Sequence, residues 1–291
     1  MISKAKKLVQ YFGFRVKPSA IVVGVQKSGT TSLYRYLSLH PQVCSTTVKE
    51  IDFFHCDNSY NKGVGFYHSH FLRCWPWQKR SYSFDITPGY TAGACKAERS
   101  AKRIHQYNPD INIIISLRDP CYRAFSAWNM YRNKFVENSN WYFEWIKKDN
   151  DDINSSTVIR RKENFGESFL DDIKWELCQY KLGNKIEAPI IEWGLYYDII
   201  KSYYALFDKS QILIVFNEDM DADVETELGR IEKFIGMRPF EWSNIDIKRY
   251  HVGTYDCEMD VEVLSILREF YFDSNFKIGN EFGINTTWNI Y

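Results

Sequence analysis

Lys27 lies in a short polar turn, Gln26-Lys27-Ser28-Gly29-Thr30-Thr31, and those residue types at that spacing suit the binding of an anion. The run before the turn, Ala20 to Val25, is apolar apart from Gly24 and reads as a buried strand. The run after it puts Leu33, Tyr36 and Leu37 on one helical face. A strand, a tight loop and a helix in that order aim several backbone N–H groups and the positive end of the helix at one point. Gly24 and Gly29 let the loop turn and approach closely, Thr30 and Thr31 add hydroxyl donors, and Lys27 supplies a full charge. Ser28 belongs to the same loop. A plain helix cap has a similar composition, so the assignment needs a second element.

That element is INIIISLRDPCYRAFSAW, residues 111–128, where a strongly apolar strand ends at Arg118 and a helix begins after Pro120. The C-terminal end of a strand is where open α/β sheets bind ligands. Ser126 follows eight residues later, roughly two helical turns on. Arginine and serine together can hold a phosphate; the alternative is an Arg118–Asp119 or interhelix ion pair beside an ordinary helix serine.

Gly24 and Gly29 have the spacing of the glycines in the nucleotide-binding pattern G-x-x-x-x-G-K-[ST], but Thr30 stands where its lysine belongs. The lysine is Lys27, inside the loop. The displacement points away from ATP hydrolysis, and so from a nucleotide kinase, toward another phosphorylated donor.

Taken together the two segments resemble sulfotransferases that use 3′-phosphoadenosine 5′-phosphosulfate (PAPS). The first loop is similar to their 5′-phosphosulfate motif and the Arg118–Ser126 pair to their 3′-phosphate motif. KEIDFF (49–54), ITPGY (86–90) and the stretch from Gly194 to Met220 resemble segments of the heparan sulfate branch. The likeness covers most of residues 18–240. It implies that Lys27, Ser28, Gly29, Thr30 and Thr31 hold the phosphosulfate and that Arg118 and Ser126 hold the 3′-phosphate. It also implies a P-loop-like three-layer α/β fold, with a central, mainly parallel sheet between helices, and a glycan or other small-molecule acceptor.

Sulfuryl transfer is an in-line displacement. Positioning and charge stabilisation do most of the work, as in phosphoryl transfer. A base removes the acceptor proton, and a cation stabilises the leaving bridging oxygen. Glu50, before Phe53 and Phe54, is the expected base, with its pKa raised if those rings bury it; a surface Lys49–Glu50 pair is the alternative. Asp52 and Asp85 are weaker alternatives for the base. Lys27 is expected to assist the leaving group. Lys49, Asp85 and His55 are expected near the acceptor. The sulfonate carries one charge, and the residues form no convincing metal-ligand cluster, so no metal is expected. A protein that keeps the loop without the chemistry is the non-enzyme alternative.

Three departures from the heparan branch stand out. Ile86 occupies the place of a lysine before Thr87-Pro88. The C-terminal donor loop appears in a shorter form, IKRYHVGTYD, offering Lys248, Arg249 and Gly253. The branch's Golgi anchor has no counterpart, which suggests a soluble relative.

Four apolar runs must position these residues: 20–25, 82–85, 111–117 and 211–216. Helical patterns fill 31–39, 97–107, 121–133, 168–182, 195–207, 223–235 and 260–272. Residues 18–291 read as a single domain. Residues 1–17 read as a basic extension, a terminal helix packed on the domain or else in contact with a membrane surface. Residues 134–167 are polar and read as a surface insertion.

The chain of 291 residues is 45% hydrophobic and 17% aromatic, enough for a large core. Its 37 basic and 37 acidic residues cancel, which excludes a long nucleic-acid track. No apolar run is long enough to span a membrane. His55, His68 and His70 read as aromatic packing or acceptor contacts rather than a metal site, and Trp75 and Trp77 as core rather than a sugar platform. Seven scattered cysteines without a CxxC suggest a reducing, cytoplasmic setting, with room for one disulfide.

Overall fold

The structure is a computed structural model that describes residues 14–75, 77, 79, 81–137, 140, 144, 158–159, 161, 166, 168–245 and 258–288. Its centre is a sheet of four parallel strands: β1 (Ala20–Gly24), β2 (Phe84–Ile86), β3 (Asn112–Leu117) and β4 (Ile212–Phe216), in the spatial order β2-β1-β3-β4. Every residue of β1 is buried, as expected for a parallel strand covered on both faces. Ile21 and Val23 join one core, with Ile113 and Ile115. Ala20 and Val22 join another, with Ile114 and Val215.

Helices fill both sides. α1 (Thr30–Leu39) and α6 (Val224–Ile235) cover the second face through Leu33, Leu37, Leu228 and Ile231. α2 (Ala94–Tyr107) and α5 (Tyr196–Tyr204) cover the first through Ala101, Ile104, Ile199 and Tyr203. A further core joins α3 (Pro120–Glu137), α4 (Phe169–Lys181) and α7 (Val261–Phe282). The three-layer α/β arrangement is the expected one.

Several boundaries differ from the sequence reading. β2 begins two residues late because Tyr82 bridges to Val43 and donates its hydroxyl to the Gly236 carbonyl (2.7 Å), leaving Phe84 to start the pairing with β1. α7 runs ten residues past its expected end, to the left-handed cap at Gly283. Residues 134–167 are not simply a surface insertion. α3 continues through Glu137, Val158–Ile159 pairs with Lys185–Ile186, and Arg161 is fully buried against Glu176. The 1–17 extension is likewise tied down at its end. Phe14–Arg15 pairs with Arg73–Cys74, and the Arg15 guanidinium donates to the carbonyls of His68, Ser69 and Phe71 at 3.0 Å.

Cys44 and Cys74 form a disulfide. The cysteine pattern left room for one such bond. No helix among the described residues is long and apolar enough to cross a membrane.

Candidate active site

The loop between β1 and α1 is held from below. Val25 N–H donates to the Ser116 carbonyl (2.7 Å), and Ser28 Oγ lies 2.6 Å from the Val25 carbonyl and 2.7 Å from that of Ser116. Ser116 Oγ returns a bond to the Ser28 carbonyl at 2.6 Å. Ser28 is 1% exposed, and its hydroxyl, committed to these backbone carbonyls, braces the loop. Lys27 takes a left-handed φ of 70° and Gly29 one of 81°. The first is sterically costly for a residue with a Cβ, by about 1–3 kcal/mol, and such strain clusters at functional sites. At Gly29 the positive φ favours glycine, and a Cβ would meet Asn217 Oδ1 at 2.4 Å, so that side chain would have to shift. α1 starts at Thr30 with no side-chain cap and no acidic residue in its first turn. Its first N–H groups and positive end remain available to an anion. Thr30 is buried and Thr31 half-buried there.

Cations gather around the loop. Arg118, at the end of β3, donates from Nη1 to the Lys27 carbonyl at 3.4 Å. Burial first, then the charges of Arg118, Arg123 and Lys49, lower the Lys27 pKa to about 8. Arg123 is fully buried one helical turn into α3; it donates from Nη2 to the Ile190 carbonyl, and its Nε and Nη1 have no hydrogen-bond partner among the described residues. Three further cations whose charges lower the Lys27 pKa make this a concentration of positive charge suited to a polyanion. Ser126 is buried on α3. Tyr131 of the same helix donates to Gln26 Oε1 in the loop at 2.7 Å.

The Arg118 segment is itself fixed. Tyr196 donates to the Arg118 carbonyl (2.8 Å), Asp119 N–H donates to Glu218 (2.8 Å), and Arg268 from α7 reaches Asp119 Oδ2 at 2.5 Å. Asp119 thus pairs with Arg268, and the alternative reading of an Arg118–Asp119 pair does not describe the site. Arg123, Tyr131, Tyr196, Asn217 and Arg268 escaped the sequence reading. Only Arg123 carried a signal, as an extra cation within the Arg118–Ser126 motif.

Glu50 lies on the segment between α1 and β2. Its side chain is 46% exposed and pairs with the Lys49 ammonium. Phe53 and Phe54 do not bury it: their rings turn the other way, into an aromatic cluster with Tyr67, Tyr90 and Tyr107. Lys49 links the segment electrostatically to Lys27. Asp52 takes a φ of 52°. Asp85 and His55, expected near the acceptor, are instead sealed in the core at 0% and 2% exposure. Asp85 accepts from Thr87 (2.6 Å), Tyr90 (2.7 Å) and Tyr67 (3.0 Å). His55 packs edge-on to Tyr90, as His70 does to Phe66 and His68 to Tyr107. Trp77 stacks on Trp75 but is 71% exposed, so it is not the core residue expected. Lys248, Arg249 and Gly253 lie outside the described residues. No group of three or more His, Cys, Asp or Glu side chains among the described residues is arranged to hold a metal ion.

Comparison with known proteins bears on this geometry. A family model described as "Sulfotransferase domain" matches residues 17–271. Human heparan sulfate glucosamine 3-O-sulfotransferase 3B1 is 27% identical over 93% of this chain and 66% of its own. The membrane-associated sulfotransferase kil1 of Dictyostelium discoideum is 23% identical over 93% of this chain and 66% of its own. The chain thus spans just under two thirds of the length of these relatives. The crystal structure of a sulfotransferase from Alicyclobacillus acidocaldarius superposes with a TM-score of 0.66 at 21% identity, covering 94% of this chain and 98% of that one.

Proposed function

The chain belongs to the sulfotransferase domain family, and from that premise we propose that it moves a sulfuryl group from PAPS to a hydroxyl or amine of a carbohydrate-type acceptor. The observation that carries the reading is the cation cluster at the donor loop. Lys27, Arg118, Arg123 and Lys49 stand close enough to depress the Lys27 pKa, at the end of a strand and the uncapped start of a helix. A donor with charge at both ends of its ribose matches two anion sites. Lys27, Gly29, Thr30 and Thr31 hold the 5′-phosphosulfate; Arg118 and Ser126 take the 3′-phosphate.

The acceptor oxygen or nitrogen attacks sulfur opposite the bridging oxygen. The new bond to sulfur forms as the old one breaks, the acceptor proton passes to Glu50, and Lys27 stabilises the charge left on the phosphate. Glu50 suits that role by its exposure and by lying beside Lys49, whose charge reaches Lys27. The glycan assignment draws on the relatives, whose names specify heparan sulfate glucosamine.

Titration of the full chain with 3′-phosphoadenosine 5′-phosphate and with ATP tests the donor. Tight binding of the first and weak binding of the second is expected. Equal affinity, or a preference for ATP, refutes the reading.

A further inference from the structure

We propose that Asp85 is a positioning residue that fixes the Glu50 segment against the donor loop, acting through the hydroxyls of Thr87 and Tyr90. The inference rests on the reading of Glu50 as the base.

Asp85 lies fully buried in β2, whose register pairs it with Ile21 of β1. Its Oδ1 accepts from Thr87 at 2.6 Å, and its Oδ2 accepts from Tyr90 at 2.7 Å and Tyr67 at 3.0 Å. A hydroxyl has one hydrogen to give. With that hydrogen committed to the carboxylate, Thr87 and Tyr90 present only lone pairs to the rest of the site. Both lone pairs are used on the same segment: Ile51 N–H donates to Thr87 Oγ1 at 3.1 Å, and Phe53 N–H donates to the Tyr90 hydroxyl at 3.3 Å. A carboxylate can accept from all three hydroxyls at once and so orients two of them as acceptors; a neutral amide in its place has one acceptor oxygen.

The two bonds act on alternate residues. Ile51 and Phe53 are drawn inward, to 5% and 1% exposure, and Glu50 is left facing out. The positive φ of Asp52 falls between the two anchored amides. The same buried segment also touches the end of β1 that leads into the donor loop. Thr87 N–H donates to the Val22 carbonyl at 3.0 Å, and a Cβ at Gly24 would lie 1.9 Å from Thr91 Oγ1. Residues 85–91 therefore contact the base-bearing segment on one side and the entry to the Lys27 loop on the other. The spacing between base and donor is set through them, and a misplacement of about 1 Å costs roughly a hundredfold in rate.

The test uses the full chain with Thr87→Val, Tyr90→Phe and Thr87→Ser. Three quantities are measured: amide hydrogen exchange at Ile51 and Phe53, the dissociation constant for 3′-phosphoadenosine 5′-phosphate, and transfer from PAPS to a heparan sulfate oligosaccharide. Exchange at Ile51 in Thr87→Val, and at Phe53 in Tyr90→Phe, is expected to rise about tenfold or more, the loss of one buried hydrogen bond. kcat falls by about tenfold or more in both, the nucleotide affinity stays within about twofold, and Thr87→Ser restores protection and rate. Should Thr87→Val fail to fold, Tyr90→Phe carries the same test at Phe53. Unchanged protection, unchanged kcat in a folded variant, or equal losses of kcat and nucleotide affinity overturns the inference. If the unmodified chain transfers no sulfuryl group, the reading of Glu50 fails on its own, and exchange at Ile51 and Phe53 in Asp85→Asn, measured alongside, still decides whether Asp85 holds the segment.

Discussion

Ser28 and Ser116 exchange hydroxyl hydrogen bonds beneath the donor loop, each Oγ meeting the other's carbonyl, at 2.7 and 2.6 Å. Both side chains are buried, and 88 residues separate them in sequence. Truncation of Ser116 takes this donor from the buried Ser28 carbonyl. Ser116→Ala is expected to lower stability by about 1–2 kcal/mol and, because the loop loses its brace, to weaken nucleotide binding as well. Urea unfolding and calorimetric titration check the two effects; a loss of stability with unchanged affinity shows that the brace does not shape the loop.

Binding of the donor is expected to depend on Lys27 ionisation. Burial, then the charges of Arg118, Arg123 and Lys49, lower its pKa to about 8. A bound anion favours the charged form, so binding draws in a proton once the free site has lost one. Affinity should hold below pH 8 and fall about tenfold by pH 9. Calorimetry in buffers of differing ionisation enthalpy measures the proton uptake. A Lys27→Arg variant should lose the pH dependence.

Arg118 is expected to read the 3′-phosphate specifically. Loss of one charged hydrogen-bonding partner costs about 1.5–3 kcal/mol, so Arg118→Ala should bind 3′-phosphoadenosine 5′-phosphate roughly 10–100-fold more weakly and adenosine 5′-phosphate almost as before. Arg268→Ala should act in the same direction but less strongly, by freeing Asp119 beside Arg118. Comparison of the two nucleotides on each variant checks the assignment, since a uniform loss places Arg118 elsewhere.

Asp85 should leave a mark on stability. Burial raises its pKa from 3.8 to about 6, with the Thr87, Tyr90 and Tyr67 hydroxyls pulling back and Asp52 adding to the rise. A carboxyl with a raised folded-state pKa contributes stability that is full below 3.8 and is lost as pH climbs through about 6. The stability difference between the unmodified chain and Asp85→Asn should therefore shrink by about 2 kcal/mol from pH 4.5 to pH 7. Urea unfolding of both at the two pH values measures it.

Much of this scaffold was legible in the sequence because it is local. Ala20–Gly24 and Asn112–Leu117 are apolar on both faces, and only a covered parallel strand tolerates that. The displaced Lys27 and the Arg118 at a strand end could be read from spacing alone. What escaped depends on partners distant in the chain. Nothing near Asp85 says that it will meet Tyr67 and hold Ile51 through Thr87, and an acid near Thr-Pro reads equally well as an acceptor contact. Arg268 lies 149 residues from Asp119, and no local pattern joins them. Glu50 was expected to share the burial of Phe53 and Phe54, yet Asp52 stands between them at a positive φ and Glu50 stays exposed.

The central claim is that this site transfers a sulfuryl group with Glu50 as the base. The most direct measurement follows label from PAPS onto a heparan sulfate oligosaccharide in single turnover, for the unmodified chain and for Glu50→Gln, with nucleotide affinity measured alongside. The expected result is transfer by the unmodified chain, a fall of roughly 10²–10⁴-fold in the variant, and equal nucleotide affinity in both. Transfer by Glu50→Gln at the unmodified rate would contradict the account.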